Sequence, residues 1–319
     1  MKKLISILLV SVISLSVFTS CGEKSAFSDV TTDVAGYTYS TEAEEVPEED
    51  ATEATLEEEE PEVEEESGIY DNTAIVEAYK TGDTSALSDD DLLVYQAASD
   101  AISEFYSEDM SDDEIILAAH DYITTHVTYD SDELSLLGSA KKESSTPYGA
   151  LIYGEAICMG YTTTFQLFMD MLDVESIIVT GSSDGEDHAW NMVCVNDNWY
   201  HVDCTWDDYV PDYEGRRPFH TYFMVTDGVM VLEHVWDMDS TPTADSEDYV
   251  YYFTHDLYFE SSDDLSAALQ YENSTGDLRA EIAIPIDDDV LVPHLDSGSI
   301  YAYWRIDLDT YSVIIYYFE

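Results

Sequence analysis

The sequence predicts an α+β protein, and three observations carry that prediction. The first is a pair of amphipathic helical patterns between residues 88 and 127. The second is an apolar stripe at helical spacing that follows Cys158. The third is a series of short segments rich in Val, Ile, Trp and Tyr between residues 175 and 206. Helical patterns followed by short β-forming segments are typical of helices packed on an antiparallel sheet.

Composition and charge limit the classes of partner. The 319-residue chain is 45% hydrophobic, which is sufficient for a packed core, and it carries 70 acidic against 10 basic side chains. A net charge of −60 argues against electrostatic binding to nucleic acid or anionic lipid. We therefore expect no nucleic-acid partner. A cationic substrate would be favoured, although a solubilising surface explains the acidic excess equally simply.

The first twenty residues have the pattern of an export signal. Lys2 and Lys3 precede an apolar run over residues 4–18, which is too short for a committed membrane span. The stretch FTSC that ends at Cys21 resembles the lipobox of bacterial lipoproteins. On that resemblance, residues 1–20 are a lipoprotein signal peptide and Cys21 is the lipidated mature N-terminus, with an ordinary secretory signal as the alternative. The implied location is the extracellular face of the bacterial cell membrane, reached through the lipid anchor only.

Residues 21–67 are predicted to form an acidic disordered tether. The stretches TEAEEVPEED and EEEEPEVEEES contain no basic residue. Neighbouring like charges repel each other and bury little apolar area, so such a segment has no means of forming a core. A folded domain with N-terminal helices is expected over residues 68–240.

Two helices are predicted ahead of Cys158. Residues 88–106 begin with acidic residues and place Leu93, Ala97, Ala101 and Phe105 at helical spacing. In the next helix, Ser111 and Glu114 have the spacing of a capping box.

A third helix is predicted to begin close to Cys158. Its apolar stripe should pack on a sheet and consists of Tyr161, Phe165, Phe168, Met169 and Leu172. At the start of a helix, unpaired backbone N–H groups and the helix dipole favour an anion, which is the setting of a reactive thiol. A lone cysteine in a helical pattern is nevertheless more often a core residue than a nucleophile.

A hairpin is predicted to bring a histidine and an aspartate together. The strands HAWNMVCV and NWYHVDCTW are separated by Asn196 and Asp197. If these two residues form the turn, Val195 pairs with Asn198, and His188 becomes a diagonal neighbour of Asp203 on one sheet face. A carboxylate beside an imidazole supports its positive form, and that imidazole can then stabilise a neighbouring thiolate.

The same register bears on the remaining cysteines. It places Cys194 and Cys204 on opposite faces of the hairpin, where a disulfide would need a distorted strand pair. We therefore interpret both as buried small apolar residues. His201 and Cys194 lack the spacing of a zinc site. His234 is interpreted as a structural group or as one that contacts a site residue from behind, and not as a participant in the chemistry. The acidic runs at residues 184–187 and 287–289 lack EF-hand spacing, so solvated loops are favoured over weak calcium sites.

Three motifs resemble those of the transglutaminase-like superfamily: GEAICMGY, DHAWNMV and NWYHVDCTWDD. The resemblance implies a papain-like transglutaminase core, in which a helix that bears the cysteine packs on an antiparallel sheet. It implies Cys158 as the nucleophile, His188 as the general base and acid, and Asp203 as the orienting carboxylate. The residues expected to shape the site are Trp190, Asn191 and Tyr161.

Two details of this resemblance concern substrate contact. Met159 stands where the family often has an acidic or polar residue. The second oxyanion donor, beside the backbone N–H of Cys158, has only Tyr148 and Gln166 as weak candidates.

The implied activity is a cysteine peptidase or amidase, or a transamidase, that acts on protein or peptide amides without a cofactor or a metal. The alternative is a non-catalytic surface module for binding or scaffolding that retains the fold. Residues 241–319 are predicted to form a small C-terminal α+β region, with an amphipathic segment at 261–271 and strands near Ala280, Ile300 and Val313. Nothing in that region concentrates reactive groups.

Overall fold

A computed structural model describes residues 69–131, 142–208, 218–275, 279–286 and 300–318. The predicted signal peptide, Cys21, the acidic tether and the acidic run at 287–289 lie outside these residues. The described chain contains both helices and antiparallel sheets, as the sequence predicts.

Three helices come first: α1 (Thr73–Thr81), α2 (Asp89–Phe105) and α3 (Asp112–His126). The side chain of Ser88 accepts a hydrogen bond from the Asp91 N–H at the start of α2. The predicted capping box at the start of α3 is confirmed. Helix α1 has only nine residues and buries only two apolar side chains, a pattern too short to be predicted.

The buried face of α2 differs by one residue from the predicted one. Val94, Ala98, Ala101 and Ile102 are buried, whereas Leu93 is 42% exposed. Both sets of residues are apolar and both have helical spacing, so the pattern alone does not choose between them. The packing of α2 against α1, α3 and the helix that begins at Cys158 decides which of the two faces is buried.

Helix α4 (Cys158–Met171) follows a short parallel strand pair, β1 (Thr128–Tyr129) and β2 (Glu155–Ala156). Of the predicted stripe, all but Leu172 are fully buried. Residues on the other sides of the helix, among them Thr162 and Leu167, are buried too. Helix α4 is therefore the central helix, with the sheet on one side and helices α1 to α3 on the others.

The main sheet has five antiparallel strands: β3 (Ser176–Ser183), β4 (Glu186–Val195), β5 (Asn198–Val202), β6 (Phe223–Val225) and β7 (His234–Trp236). Their spatial order is β6-β5-β4-β3-β7. The predicted hairpin register is confirmed, because Val195 pairs with Asn198. Asn196 and Asp197 have φ angles of 52° and 65°, as a tight two-residue turn requires.

The C-terminal part contains the predicted helix and three strands. After the short helices α5 (Asp227–Met230) and α6 (Tyr251–Thr254) come α7 (Ser262–Thr275), β8 (Arg279–Pro285), β9 (Ile300–Asp307) and β10 (Tyr311–Phe318). The three strands form a second antiparallel sheet in the order β8-β10-β9. Its residues Tyr311 and Val313 share one apolar core with Trp190 and Met192 of β4, so the two sheets are packed together. Within the described residues, none of the helices is both long enough and apolar enough to span a bilayer.

Candidate active site

A cleft of about 610 Å³ opens where the start of α4 meets strands β3 and β4. Cys158 and His188 both line it. The remaining lining residues are Tyr129, Ile157, Met159, Thr180, Gly181, Glu186, Asp187 and Ala189. The predicted nucleophile and the predicted base therefore share one cleft.

Cys158 is the first residue of α4, as the sequence predicts. The preceding Ile157 is extended, and its N–H donates to the carbonyl oxygen of Ser144. A Cβ atom on Gly160 would lie 2.3 Å from that same oxygen, so only glycine fits there. This close approach fixes the start of the helix, and the half-buried Cys158 with it. As the first helical residue, Cys158 also presents an N–H with no partner in a preceding turn.

The His188 ring lies between the Cys158 thiol and the Asp203 carboxylate. Its Nε2 donates to Oδ2 of Asp203 over 2.7 Å, and the Cys158 side chain is close enough to help raise the pKa of the ring. Burial opposes a positive charge on this ring, but the charge and hydrogen bond of Asp203, helped by Cys158, outweigh that effect and raise the pKa of His188 to about 10. The positive form of His188 is therefore stable at neutral pH.

The Asp203 carboxylate is fully buried and accepts four hydrogen bonds. Oδ1 accepts from the backbone N–H groups of Thr205 and Trp206, at 2.9 and 3.1 Å. Oδ2 accepts from His188 and, over 3.0 Å, from Nε2 of His234. Burial would raise the pKa of this carboxyl group, but the two imidazoles lower it well below its usual range. Asp203 is therefore an ionised carboxylate held at a fixed position.

His234 contacts a site residue from behind, which is one of the two interpretations that the sequence allows. It lies on β7, an edge strand that pairs with β3, and its side chain is buried. Its Nδ1 has no hydrogen-bond partner among the described residues. The motif HVWD draws attention to His234, but the sequence alone does not show that β7 pairs with β3. That pairing is what brings His234 to Asp203.

Trp190 supports the base from within the sheet. Its ring stacks on His188, with 5.9 Å between centroids and 22° between planes. Its Nε1 donates to Nδ1 of His201 over 2.9 Å, and Nε2 of His201 donates to Asp227 over 2.9 Å. Burial lowers the pKa of His201, which agrees with a neutral ring that accepts at Nδ1. His201 thus links Trp190 on β4 to Asp227 through its two ring nitrogens.

Asn191 and Tyr161 do not line the cleft, which differs from the expectation. Alternation along β4 turns Asn191 away from His188 and toward α4, where its Nδ2 donates to the Thr162 carbonyl over 3.3 Å. The hydroxyl of the fully buried Tyr161 donates to Asp208. Asn191 thus holds α4 on the sheet, and Tyr161 holds it on the segment that follows β5, so both act on the site through the position of the helix.

The weak oxyanion candidates also lie away from the cleft. Gln166 donates to Oγ of Ser176 over 2.8 Å, and its side-chain oxygen accepts from Asn191. Tyr148 packs beside Tyr153 at the edge of the helical core. Met159, in contrast, does line the cleft, where it is placed to contact a substrate.

The cleft has an acidic rim. Glu186 and Asp187 are both exposed and follow the tight turn at Asp184 and Gly185, which have φ angles of 52° and 81°. In the part of the chain that the structure describes, no Lys or Arg lines this cleft. A positively charged group is therefore favoured at this edge.

The other two thiols of the described chain differ from Cys158 in setting. Cys194 and Cys204 are free, which confirms the prediction that they are not paired. Burial raises the pKa of Cys194 and, far more strongly, that of the fully buried Cys204. Neither thiol lines the cleft.

The comparisons with known proteins concern the segment that carries this site. Residues 99–204, about one third of the chain, match the model of the transglutaminase-like superfamily. Among curated proteins none matches the chain significantly.

Two solved structures are similar over part of the chain. A TGase shows 18% identity and a TM-score of 0.32 over 44% of this chain and 38% of its own. A provisionally assigned cysteine protease from Cytophaga hutchinsonii shows 19% identity and a TM-score of 0.28 over 35% of this chain and 37% of its own. The chain thus spans less than half the length of each, and we draw no conclusion about activity from them. The segment that bears Cys158, His188 and Asp203 lies within the matched residues, and residues 99–204 are therefore a transglutaminase-like domain.

Proposed function

We propose that the protein is a cysteine-dependent acyl-transfer enzyme that hydrolyses protein or peptide amides. The observation that carries this proposal is the sequence of contacts from the Cys158 thiol through the His188 ring to the buried Asp203 carboxylate, at the wall of an open cleft. A nucleophile, a base within hydrogen-bond reach and an orienting third group are the requirements of covalent acyl transfer.

The chemistry has two halves. In the first, the Cys158 sulfur attacks the amide carbonyl carbon, His188 gives its proton to the departing nitrogen, and a thioester forms as the amine leaves. In the second, water attacks the thioester, His188 takes a proton from it, and the carboxylic acid leaves as the thiolate is regenerated. The backbone N–H of Cys158 stabilises the oxyanion of each tetrahedral intermediate. An amine in place of water would give transamidation by the same steps.

Hydrolysis is the favoured outcome because the cleft is open and water far outnumbers any amine near it. The acidic rim of Glu186 and Asp187 favours substrates with a basic residue near the reacting amide. We further propose that the enzyme is exported and held at the outer face of the bacterial membrane through lipidated Cys21, on the pattern of residues 1–21. Mass spectrometry of the mature N-terminus decides this, because an unmodified N-terminus would remove the anchor from the proposal.

Thiol labelling tests the nucleophile directly. Iodoacetamide at neutral pH should label Cys158 at least about 10-fold faster than Cys194 or Cys204, since only Cys158 has a positive imidazole beside it. Replacement of His188 by Gln should abolish that difference. Equal, slow labelling of all three thiols would contradict the proposal.

Turnover separates an enzyme from a binding module. Cys158→Ala should abolish the release of amine from a panel of peptide amides, and Cys194→Ala is the matched control that removes a half-buried thiol outside the cleft. If the wild-type chain releases no amine from any of these peptides and Cys158→Ala leaves ligand binding unchanged, the chain is the non-catalytic surface module instead; turnover that survives Cys158→Ala would assign catalysis to another residue.

A further inference from the structure

A second group of histidines and carboxylates lies outside the cleft. His120 and Asp121 lie in the second half of α3, and His220 precedes β6. One ligand atom from each of these three residues lies within 4.8 Å of the others. We call His120, Asp121 and His220 the second histidine cluster; none of them lines the cleft, and the proposed reaction uses none of them.

The inner atoms of this cluster converge on one carboxylate oxygen. Oδ1 of Asp121 lies 2.9 Å from Nδ1 of His120 and 3.0 Å from Nε2 of His220. Ligand atoms on a tetrahedral zinc ion lie ~3.3 Å apart, given metal bonds of about 2.0–2.1 Å. The two distances to Asp121 would therefore need to lengthen by only a few tenths of an ångström, and the two ring nitrogens already lie within 4.8 Å of each other.

The outer nitrogen of each ring faces a buried carboxylate. Nε2 of His120 lies 3.2 Å from Oδ2 of Asp207, and Nδ1 of His220 lies 3.8 Å from Oε2 of Glu281. Both carboxylates are held by other donors: Asp207 accepts from the Tyr222 N–H over 3.0 Å, and Glu281 accepts from the His220 N–H over 3.1 Å. Histidines that bind a metal almost always donate their other ring N–H to such a partner. His120 has this hydrogen bond, with Asp207, whereas Glu281 lies beside the outer nitrogen of His220 at ion-pair distance.

Access and packing fit an ion that is held from one side. The His120 side chain is 0% exposed and that of His220 is 7% exposed, whereas Asp121 is 40% exposed. The His220 ring also stacks on Tyr251, with centroids 3.6 Å apart and planes 7° apart. Two fixed imidazoles and one accessible carboxylate leave a fourth position open toward solvent.

The active-site histidines form the obvious rival, because His188, Asp203 and His234 also lie within 4.8 Å of each other. There, however, the Asp203 carboxylate is already occupied by two backbone N–H groups, and its side chain is 1% exposed. His234 has no outer carboxylate, since its Nδ1 has no partner among the described residues. Of these two clusters, the second histidine cluster is the one in which each histidine has a carboxylate beside its outer ring nitrogen.

We propose that the second histidine cluster binds one divalent transition-metal ion through His120 Nδ1, His220 Nε2 and Asp121 Oδ1. Imidazole ligands favour zinc, cobalt or nickel over calcium or magnesium. The ion would join α3 to the C-terminal region, because Glu281 on β8 holds one of the two ligating rings. This proposal is independent of the activity at Cys158.

Cobalt(II) is the probe, because it is visible in this kind of site. Titration of tag-free, chelator-treated protein should give a visible absorption band that saturates at one ion per chain, and added zinc should displace the ion. Asp121→Asn and His220→Gln should each weaken binding at least about 10-fold, and so should Glu281→Gln, which acts through His220. Asp112→Asn is the matched control, since Asp112 is an exposed acid on the same helix.

Two outcomes would overturn the proposal. One is wild-type protein that binds no cobalt at a slight molar excess. The other is binding that survives Asp121→Asn and His220→Gln but is lost in His188→Gln, which would place the ion at the active site. Asp121 is partly exposed, so its amide variant should fold, and circular dichroism of each variant checks that.

Discussion

The imidazoles of His188 and His234 donate to the same oxygen atom, Oδ2 of Asp203, at 2.7 and 3.0 Å. One ring faces the cleft and the other is enclosed by Trp190, Trp206 and Tyr222. The two rings lie side by side, with centroids 5.3 Å apart, so Asp203 is restrained by a second donor on the oxygen that binds the base. The position of His188 therefore depends on a residue that is enclosed in the protein.

Replacement of His234 tests this restraint. His234→Leu removes one charge-assisted hydrogen bond and should lower kcat about 10-fold with little change in KM, since such a bond is worth about 1.5–3 kcal/mol. His234→Gln keeps an N–H donor and should recover most of the loss. A fall in KM and kcat that is identical in both variants would indicate a structural defect instead.

The pH dependence of amide cleavage should follow His188. Its pKa is raised to about 10, so the proton needed by the departing amine is retained through neutral pH and is lost only as the pH rises through about 10. Asp203→Asn removes the strongest attraction that raises this pKa. The alkaline limb of kcat/KM should then move by more than one unit to lower pH, and an unmoved limb would assign it to another group.

Stability should depend on pH with a defined sign. Because the folded pKa of His188 lies above its unfolded value, its contribution is fully present below about pH 6.5 and is lost as the pH rises toward 10. The difference in free energy of unfolding between wild type and His188→Gln should therefore be largest near pH 6 and shrink steadily between about pH 6.5 and about pH 10. Urea unfolding at several pH values measures it, and a difference that grows toward pH 10 would contradict this sign.

Gly160→Ala should damage both stability and activity. The added Cβ would lie 2.3 Å from the Ser144 carbonyl oxygen and 2.7 Å from Cβ of Ala156, so the start of α4 must move. Overpacking of this kind costs about 1–3 kcal/mol. Met159→Ala, next to it on the helix, should change KM without a comparable loss of stability in urea unfolding.

The acidic rim should set substrate preference. Peptide amides with Lys or Arg near the reacting bond should be cleaved faster than matched peptides with Glu, and salt should reduce the difference. Glu186→Gln combined with Asp187→Asn should remove most of that preference. Asp263→Asn on α7 is the control, and a preference that survives the double change would assign it elsewhere.

Sequence alone predicted the local parts of the fold. The turn at Asn196 and Asp197 set the hairpin register, and that register brought His188 toward Asp203 as the structure has it. The start of α4 at Cys158 followed from its apolar stripe. Both depend on interactions between residues close in the chain, which spacing and turn chemistry report well.

Contacts between distant segments were not predictable in the same way. The bond from His234 to Asp203 needs the position of β7 beside β3, which no pattern in the sequence encodes. The direction of Asn191 was missed although strand alternation offered it, because its place in the motif beside His188 suggested the cleft. The role of Glu281 was missed because its partner His220 lies sixty-one residues earlier in the chain.

Strand β4 carries His188 on one face. On its other face, Asn191 donates a hydrogen bond to α4, the helix that carries Cys158. The spacing between thiol and imidazole thus depends on this helix–strand interface and on the Ser144 contact that fixes the start of α4. The exposed turn at Asp184 and Gly185 takes no part in either contact and is free to change in length or charge, while a shift of one residue in β4 would exchange its two faces and separate the reacting pair.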